Sequence, residues 1–519
     1  MIRFQVPEET LVGPSIDWYG LSPLLVLLGG ALVLLLLASL TPKWPGGLYS
    51  LLTATTAGAA LVLSLIIAFD DDGIPENGRK LLVSDALILD RISIFILVTL
   101  CASLILTTLI NEDYLRRENF LAPEVHALCL LALIGASVMA MANDLIVLFL
   151  GLEVMSLAFY ILAASHRRRT ESQEAGIKYF VLGGFSSAFF LYGIALLYGA
   201  TTSTNYDEII AAFNETVRLE RKDALVLAGV ALLIVGLAFK IAAVPFHFWT
   251  PDVYEGAPTP VSAFMASVGK VAAFAAMIRV LVYALPHWRD DWRPAIWVVA
   301  VVTLVVGSAL AVVQTNVKRM LAYSSISHAG FILVGIEAAG HRAGEPDPGL
   351  GVGSALLYML LYAVLVVGSF AVVSAVGRTG DNETTLAGFR GLGKSHPLLA
   401  LGMTVLLLAQ AGVPLTSGFI AKFGVIQAAV EERSYAIAII AMVSAVIAAF
   451  LYLRIMVSIW ISEPETGDEE RERVRVPLAT GVCVAIAVAF TLFVGLVPGW
   501  VIDAAQDVTK GLSALSPTP

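Results

Sequence analysis

The sequence predicts an all-α polytopic membrane protein of about fourteen transmembrane helices, with two inverted five-helix repeats and discontinuous helices 7 and 12. Three observations predict it. The 519 residues are 58% hydrophobic and only 14% charged, where a soluble chain carries about 25% charge. The mean hydropathy is +0.84 over the whole length. Apolar stretches recur along the chain, each close to the roughly 20 residues a helix needs to cross a bilayer.

The stretches, taken in order, are 21–41, 47–69, 91–110, 124–142, 144–165, 176–199, 223–249, 258–285, 294–314, 319–339, 352–376, 397–430, 434–461 and 476–502. They are numbered below as spans 1 to 14. The segment before span 1, MIRFQVPEETLVGPSIDWYG, has neither a basic n-region nor a small-residue cleavage site, so span 1 is expected to remain in the mature protein. With an even number of spans both termini share one side. Loops after odd spans carry fourteen Lys and Arg, against nine after even spans, or eleven with Arg3 and Lys510. The positive-inside rule then predicts cytoplasmic odd loops and external termini.

Spans 7 and 12 read GLAFKIAAVPFHFWTPDVYEGAP and LLLAQAGVPLTSGFIAKFGVIQ, each with an A-x-V-P break, at Pro245 and Pro414. Proline lacks the backbone donor and clashes with the preceding turn, so each helix kinks or unwinds there. The breaks lie five spans apart, and the spans after them echo each other as VAAFAAMIRV and IAAFLYLRIMV. An odd offset turns the second unit upside down, the pattern of an inverted repeat around a transport site. The expected organisation is helices 1–3 in 1–123, a first repeat in 124–285 (helices 4–8), a second in 294–461 (helices 9–13), and helix 14 with the C-terminal tail in 476–519.

The net charge of −9 and the absence of a basic stripe argue against a nucleic-acid partner. Cys101, Cys129 and Cys483 lie singly in apolar runs, which suits small core residues and offers neither a disulfide framework nor a metal site. Gly388 to Ser395, GFRGLGKS, satisfies the phosphate-loop spacing. That loop needs a strand before it and a helix opening at its Lys-Ser end, whereas TGDNETTLA precedes and His396-Pro397 follows, so it reads as an interhelical loop.

Ionisable residues well inside the spans are Glu153, Lys178, Lys240, His247, Lys270, His328 and Lys422. A charge at the bilayer centre costs about 2.5 to 3.5 kcal/mol even on lenient scales, so stability does not explain them. The plain alternatives are a structural ion pair for Glu153, snorkelling for Lys240 and Lys270, a boundary position for Lys422, and an ordinary helix-end lysine for Lys178. His247 and His328 are candidate proton relays, with satisfied core histidines as the alternative, and two histidines make no metal site. Amines in a low-dielectric interior exchange protons near neutrality, so a row of lysines through helices 6, 7, 8 and 12 suits a proton relay.

These residues sit in NDLIVLFLGLEVMSLAFY, EAGIKYFVLGGFSSAFFLYG, FKIAAVPFHFWTPDVYEGAPTPVSAF, NVKRMLAYSSISHAG and GVPLTSGFIAKF. In these strings, and across about residues 20 to 500, the chain resembles the antiporter-like proton-translocating subunits of respiratory complex I, an NADH:quinone oxidoreductase, and of Mrp-type antiporters. The resemblance implies Glu153 and Lys240 as a coupling pair, Lys270 as the central carrier, Lys422 as the exit-side carrier and Lys178 as a further family lysine. One branch of the family typically has Glu where Lys422 stands, and another adds a long lateral helix; this sequence has neither feature. Thr201-Thr202-Ser203 departs from the glycine-containing turn common there, which touches a loop and none of the charged positions.

The resemblance further implies a multi-pass subunit of the bacterial inner membrane that holds no cofactor itself. NADH, FMN, iron-sulfur clusters and quinone belong to partner subunits of the translocating enzyme. Partners are a neighbouring antiporter-like subunit, small membrane subunits and lipid. Two charges about 8 Å apart at a dielectric of about 20 interact by roughly 2 kcal/mol, enough to load or unload a lysine. The alternatives are a subunit of an Mrp-type cation/proton antiporter, which would have different partners, and a structural anchor, in which neutral replacement of the lysines would be silent.

Overall fold

The computed structural model describes residues 15–40, 45–70, 73, 74, 78–120, 123–214, 223–462 and 476–511. Residues 1–14, read above for a leader, and Lys43, Arg218, Arg221, Lys222, Arg471, Arg473 and Arg475, which entered the charge comparison, lie outside them. Among the described residues thirteen helices are long and apolar enough to cross a membrane. Spans 1 to 6 are Trp18–Leu40, Gly46–Phe69, Arg91–Arg117, Pro123–Met141, Leu145–Ala163 and Thr170–Thr201. Spans 7 to 11 are Asp223–Lys240, Thr259–Ala284, Arg289–Val312, Val317–His341 and Gly351–Val376. Span 12 is the pair Pro397–Ala411 and Ser417–Glu431, followed by Tyr435–Trp460 and Leu478–Leu496 as spans 13 and 14.

Short polar side chains start several of these helices. Asp90 caps span 3 by accepting from the Ser93 amide at 2.8 Å, Asp144 caps span 5 through the Ile146 amide at 2.7 Å, and Asn316 caps span 10 through the Lys318 amide at 2.9 Å. Small residues let helices approach closely, as expected where no hydrophobic force acts between apolar helices in lipid. At Gly193 of span 6, an added Cβ would stand 2.9 Å from the carbonyl oxygen of Gly229 in span 7. Span 8 is buried along its whole length and span 10 nearly so, while spans 1, 6 and 13 present Leu32, Phe185 and Val446 outward.

Ion pairs sort the loops into two faces. Asp381, after span 11, is reached by Lys318 and Arg169, each at 3.3 Å, by Arg117 at 3.6 Å and by the Thr259 amide at 3.1 Å. The loops after spans 3, 5, 9 and 11 and the start of span 8 therefore meet on one face. On the other, Lys80 pairs with Asp17 at 2.6 Å, Arg79 with Asp207 at 2.7 Å, Arg289 with Glu345 at 3.0 Å and Arg342 with Glu432 at 2.8 Å. Those pairs join the chain before span 1 to the loops after even spans, so the parity of the expected spans is the parity of the structure.

Several details differ from the sequence expectation. The helices stop before their prolines, at Lys240 and Ala411, because Ala242, Gly412 and Leu415 take left-handed backbone angles of +60°, +90° and +67°. Span 14 ends at Leu496, where Pro498 opens a separate helix, Gly499–Asp507. The loop after span 6 holds a short helix, Tyr206–Asn214, and the loop after span 2 holds a two-stranded antiparallel ribbon, Arg79–Leu81 with Ile88–Asp90. Two π-helical stretches, Met265–Gly269 and Ile278–Ala284, interrupt span 8. The GFRGLGKS segment forms short helical turns with no strand leading into it. Thr202 ends span 6 at φ +64°, a left-handed conformation that glycine adopts freely.

Arg279 of span 8, passed over in the sequence because it lies near the end of its span, is 1% exposed and makes a bidentate pair with Asp90, both bonds 2.6 Å long. Ser93 and the Ala140 carbonyl accept two more of its hydrogens. Removing one partner of such a pair strands a buried charge at about 3–5 kcal/mol. Arg279→Met is therefore expected to lower the melting temperature of the solubilised assembly sharply, and Arg279→Met with Asp90→Leu to lower it less. Cysteines replacing Arg167 and Asn382 should react with an impermeant thiol reagent from one side of sealed vesicles, and one replacing Asp347 from the opposite side.

Candidate functional site

The polar groups of the interior are carried by the ends of broken helices and by span 10. Lys240 is the last residue of the first half of span 7, and its ammonium donates to Ser156 Oγ at 2.7 Å and Tyr160 Oη at 3.2 Å, both on span 5. The rings of Tyr160, Phe239 and Tyr179 surround it at 5.3, 5.7 and 5.8 Å from their centroids, a cation–π enclosure that holds an ammonium away from water. Glu153 lies one turn before Ser156 on the same helix and accepts a short hydrogen bond from the Ser187 hydroxyl of span 6. The two members of the expected pair thus share a helix face through Ser156 rather than a direct ion pair.

Lys270 opens a regular stretch between the two π-helical segments of span 8 and is 2% exposed. Such π-helical interruptions recur at functional sites. Its ammonium donates to the Ser325 carbonyl of span 10 at 2.5 Å, and the Ser325 hydroxyl accepts from Tyr362 of span 11 at 2.8 Å. On the neighbouring residue, the Ser324 hydroxyl meets Tyr452 Oη at 2.6 Å and Gln410 Oε1 at 3.2 Å. His328, one turn on, bonds Tyr358 at 2.6 Å and Tyr452 at 3.2 Å. Lys422 closes the row by donating to the carbonyls of Gln410 and Ala411, at 2.8 and 3.0 Å. Those are the freed carbonyls of the first half of span 12, and a cation there also meets the negative end of the helix dipole.

The structure therefore places Lys270, His328 and Lys422 in two hydrogen-bonded groups, Lys270 with Ser325 and Tyr362, and His328 and Lys422 with Ser324, Tyr358, Gln410 and Tyr452, which meet at the adjacent residues Ser324 and Ser325 of span 10. Lys240 stands apart from both, since Phe159, next to Tyr160, lies against Gly269 just before Lys270. His247 is buried in the span 7 break beside Phe248, its Nδ1 without a hydrogen-bond partner among the described residues, and joins neither lysine. Lys178 is partly exposed at the odd-loop face, paired with Glu174 at 2.7 Å and Asp252 at 2.8 Å. Burial acts to raise the Asp252 carboxyl, but the bonds from Lys178 and Arg319 outweigh it and hold it below the usual carboxylate range. These residues, with Arg169 and Asp381, line a polar opening of about 370 Å³.

Ser156, Tyr160, Ser187, Ser324, Ser325, Tyr358, Gln410 and Tyr452 were not singled out from the sequence. Hydroxyls and amides in apolar helices carry no pattern that separates a relay member from a side chain bonded to its own helix; in span 10 the signal was the cluster Tyr-Ser-Ser-x-Ser-His at 323–328. Among the described residues no group of three metal-ligating side chains converges.

A bundle whose two broken helices present buried, hydrogen-bonded lysines to its interior has the architecture of an antiporter-like membrane subunit. Residues 142–448 match the family described as NADH:quinone oxidoreductase/Mrp antiporter, transmembrane, and the chain belongs to it. The chain is 39% identical to NADH-quinone oxidoreductase subunit N 3 of Streptomyces griseus, covering 96% of this chain and 95% of that protein. It is 36% identical to NADH-quinone oxidoreductase subunit N of Mycobacterium tuberculosis, covering 96% and 99%. A chain of respiratory complex I from Thermus thermophilus with bound aureothin matches with a TM-score of 0.75 at 30% identity, covering 92% of this chain and 98% of that one. A chain of the Mrp complex from Dietzia sp. matches with a TM-score of 0.82 at 20% identity, covering 97% and 100%, a likeness of fold.

Tyr452→Phe keeps the ring and removes the hydroxyl shared by Ser324 and His328. Unsatisfied buried partners cost about 1–3 kcal/mol, so proton movement into sealed vesicles carrying the native assembly should slow by about tenfold. Assembly of the variant should remain at the wild-type level.

Proposed function

We propose that the chain is the N-type membrane subunit of a bacterial NADH-quinone oxidoreductase and that it moves protons across the inner membrane without itself carrying electrons. The relatives named subunit N, matched over nearly the full length, support the assignment. The observation that carries the mechanism is the placement of Lys270, held by Ser325, beside the group that runs from Ser324 through Tyr452 and Gln410 to Lys422, in which the ammonium groups are buried, hydrogen-bonded and free of carboxylate partners among the described residues. A structural lysine would be neutralised by an acid; these are held by backbone carbonyls, which accept a hydrogen bond from either protonation state of the amine, with hydroxyls that can both donate and accept close by.

Glu153 and Lys240 are the coupling station. A charge change arriving from a neighbouring subunit alters the Glu153 field at Lys240, and the altered occupancy of Lys240 acts on Lys270 across the apolar layer at Phe159. Lys422 releases toward the face of the even loops, taken as external from the Lys and Arg distribution. Lys178, on the opposite face beside Asp252, stands where protons are collected. Residues 124–285 and 294–461 are the two repeated units: each begins with a tightly packed helix pair, spans 4 and 5 or 9 and 10, and contains one broken helix. FMN, iron-sulfur clusters, NADH and quinone would be held by partner subunits, a neighbouring antiporter-like subunit and small membrane subunits among the partners.

Glu153→Gln and Lys240→Ala should each assemble and slow proton pumping severalfold relative to NADH oxidation. The double variant should be no worse than the worse single one, because groups acting as a unit are strongly non-additive. Pumping in reconstituted membranes, normalised to assembled complex, is the measurement. Wild-type pumping by both single variants would overturn the coupling role.

A further inference from the structure

Glu337 lies on span 10 nine residues beyond His328, about 13.5 Å further along the helix, and is 3% exposed. Its Oε1 accepts from Ser434 Oγ at 3.1 Å and faces His341 Nε2 at 3.2 Å. Arg293 of span 9 donates to His341 Nδ1 at 3.0 Å. Because the guanidinium is always a donor, Nδ1 is the acceptor and Nε2 carries the hydrogen, which Glu337 Oε1 and Ser434 Oγ share at 3.2 Å each. Both bonds to Glu337 thus fall on Oε1, and Oε2 is buried with no hydrogen-bond partner among the described residues. An unpaired carboxylate oxygen in an apolar interior is unfavourable unless a proton or water visits it.

The surroundings give this oxygen a direction. His341 is partly exposed and stands at the even-loop end of span 10, beside the Arg342 and Glu432 pair. Toward the interior, Gly335 lies at a level between Glu337 and the relay but on the opposite face of span 10, two residues being about 200° of helix; an added Cβ there would meet Val425 at 3.1 Å, Ala355 at 3.2 Å and the Gly351 carbonyl at 3.3 Å, so the helices form a tightly packed layer at that level. Lys422 lies over the ring of Phe331 on the far side of that layer, 4.9 Å from its centroid. The charged groups on the elements packed around this end of span 10 are Arg289, Asp290, Asp291 and Arg293 of span 9, His341, the Arg342 and Glu432 pair, Glu345 and Asp347 of the loop after span 10, Glu431 at the end of span 12, and Arg433. Span 11 contributes none.

We propose that Glu337 is the proton-releasing group of this subunit, with His341, Ser434 and Arg293 as its positioning residues. This rests on the proton-moving reading above. A proton leaving the Lys422 and His328 assembly crosses the Gly335 layer on transient water and binds Oε2. The O–H bond then breaks toward solvent at the His341 rim, and the carboxylate is regenerated while His341 and Ser434 hold Oε1. The layer keeps the relay closed to solvent between these events.

The test uses the intact complex in proteoliposomes, with Glu337→Gln, Glu337→Asp, Lys270→Ala and Lys422→Ala compared at equal assembly. Glu337→Gln should oxidise NADH but lose as much pumping per NADH as Lys422→Ala, and Glu337→Asp should restore it. Redox-induced infrared difference spectra of the wild type should contain a carboxylic-acid carbonyl band that Glu337→Gln removes. Normal pumping by Glu337→Gln beside impaired Lys270→Ala and Lys422→Ala would overturn this inference and leave the proton-moving reading standing. Normal pumping by all three would overturn both. Should Glu337→Gln fail to assemble, a wild-type carboxylic-acid band that is unchanged in Glu337→Asp would overturn the inference.

Discussion

Everything in this structure follows from placing uncompensated ammonium groups where water is scarce. A buried cation without an acid beside it must find its stabilisation in dipoles. The bundle supplies them by breaking helices. Ala411 and Gln410 turn carbonyls toward Lys422 because the first half of span 12 ends there, and Lys240 is itself the terminal residue of a half-helix. A continuous helix would have consumed those carbonyls in its own ladder, and the lysine would have been stranded.

The same constraint explains the placement of the hydroxyls. Span 10 has no broken turn; it offers Lys270 the Ser325 carbonyl and otherwise offers side chains: Ser324, Ser325 and His328 line one stretch, Tyr358 and Tyr362 reach in from span 11, and Tyr452 reaches in from span 13. Each of these groups both donates and accepts, so the assembly stays satisfied whichever way its protons are arranged. Aromatic rings around Lys240 and Lys422 stabilise an ammonium without neutralising its charge.

Charge is handled differently where it serves architecture. Arg279 and Asp90 form a bidentate pair with four of the five guanidinium hydrogens used, and Asp381 gathers Lys318, Arg169 and Arg117 at one loop face. These groups are matched acid to base and so have no reason to exchange protons. Within one apolar bundle, Arg279 and Lys318 are paired with carboxylates, whereas Lys240, Lys270 and Lys422 are held by hydroxyls and carbonyls.

The fold class, the number and order of spans and the two discontinuous helices were legible in the sequence, because apolar length and proline are local properties that a bilayer reads directly. Glu153, Lys240, Lys270 and Lys422 were legible for a related reason: a charge inside an apolar run is costly wherever the run ends up. Whether those charges have partners is decided by helices far apart in the chain. Only the tertiary structure placed Lys178 at the rim beside Asp252, parted Lys240 from a direct bond to Glu153, and left His247 out of the assembly that includes His328. Only it drew Tyr452, Gln410 and Glu337 into view, since a hydroxyl, an amide or a carboxylate near a span end acquires meaning from what it faces, and facing is set by packing rather than by sequence.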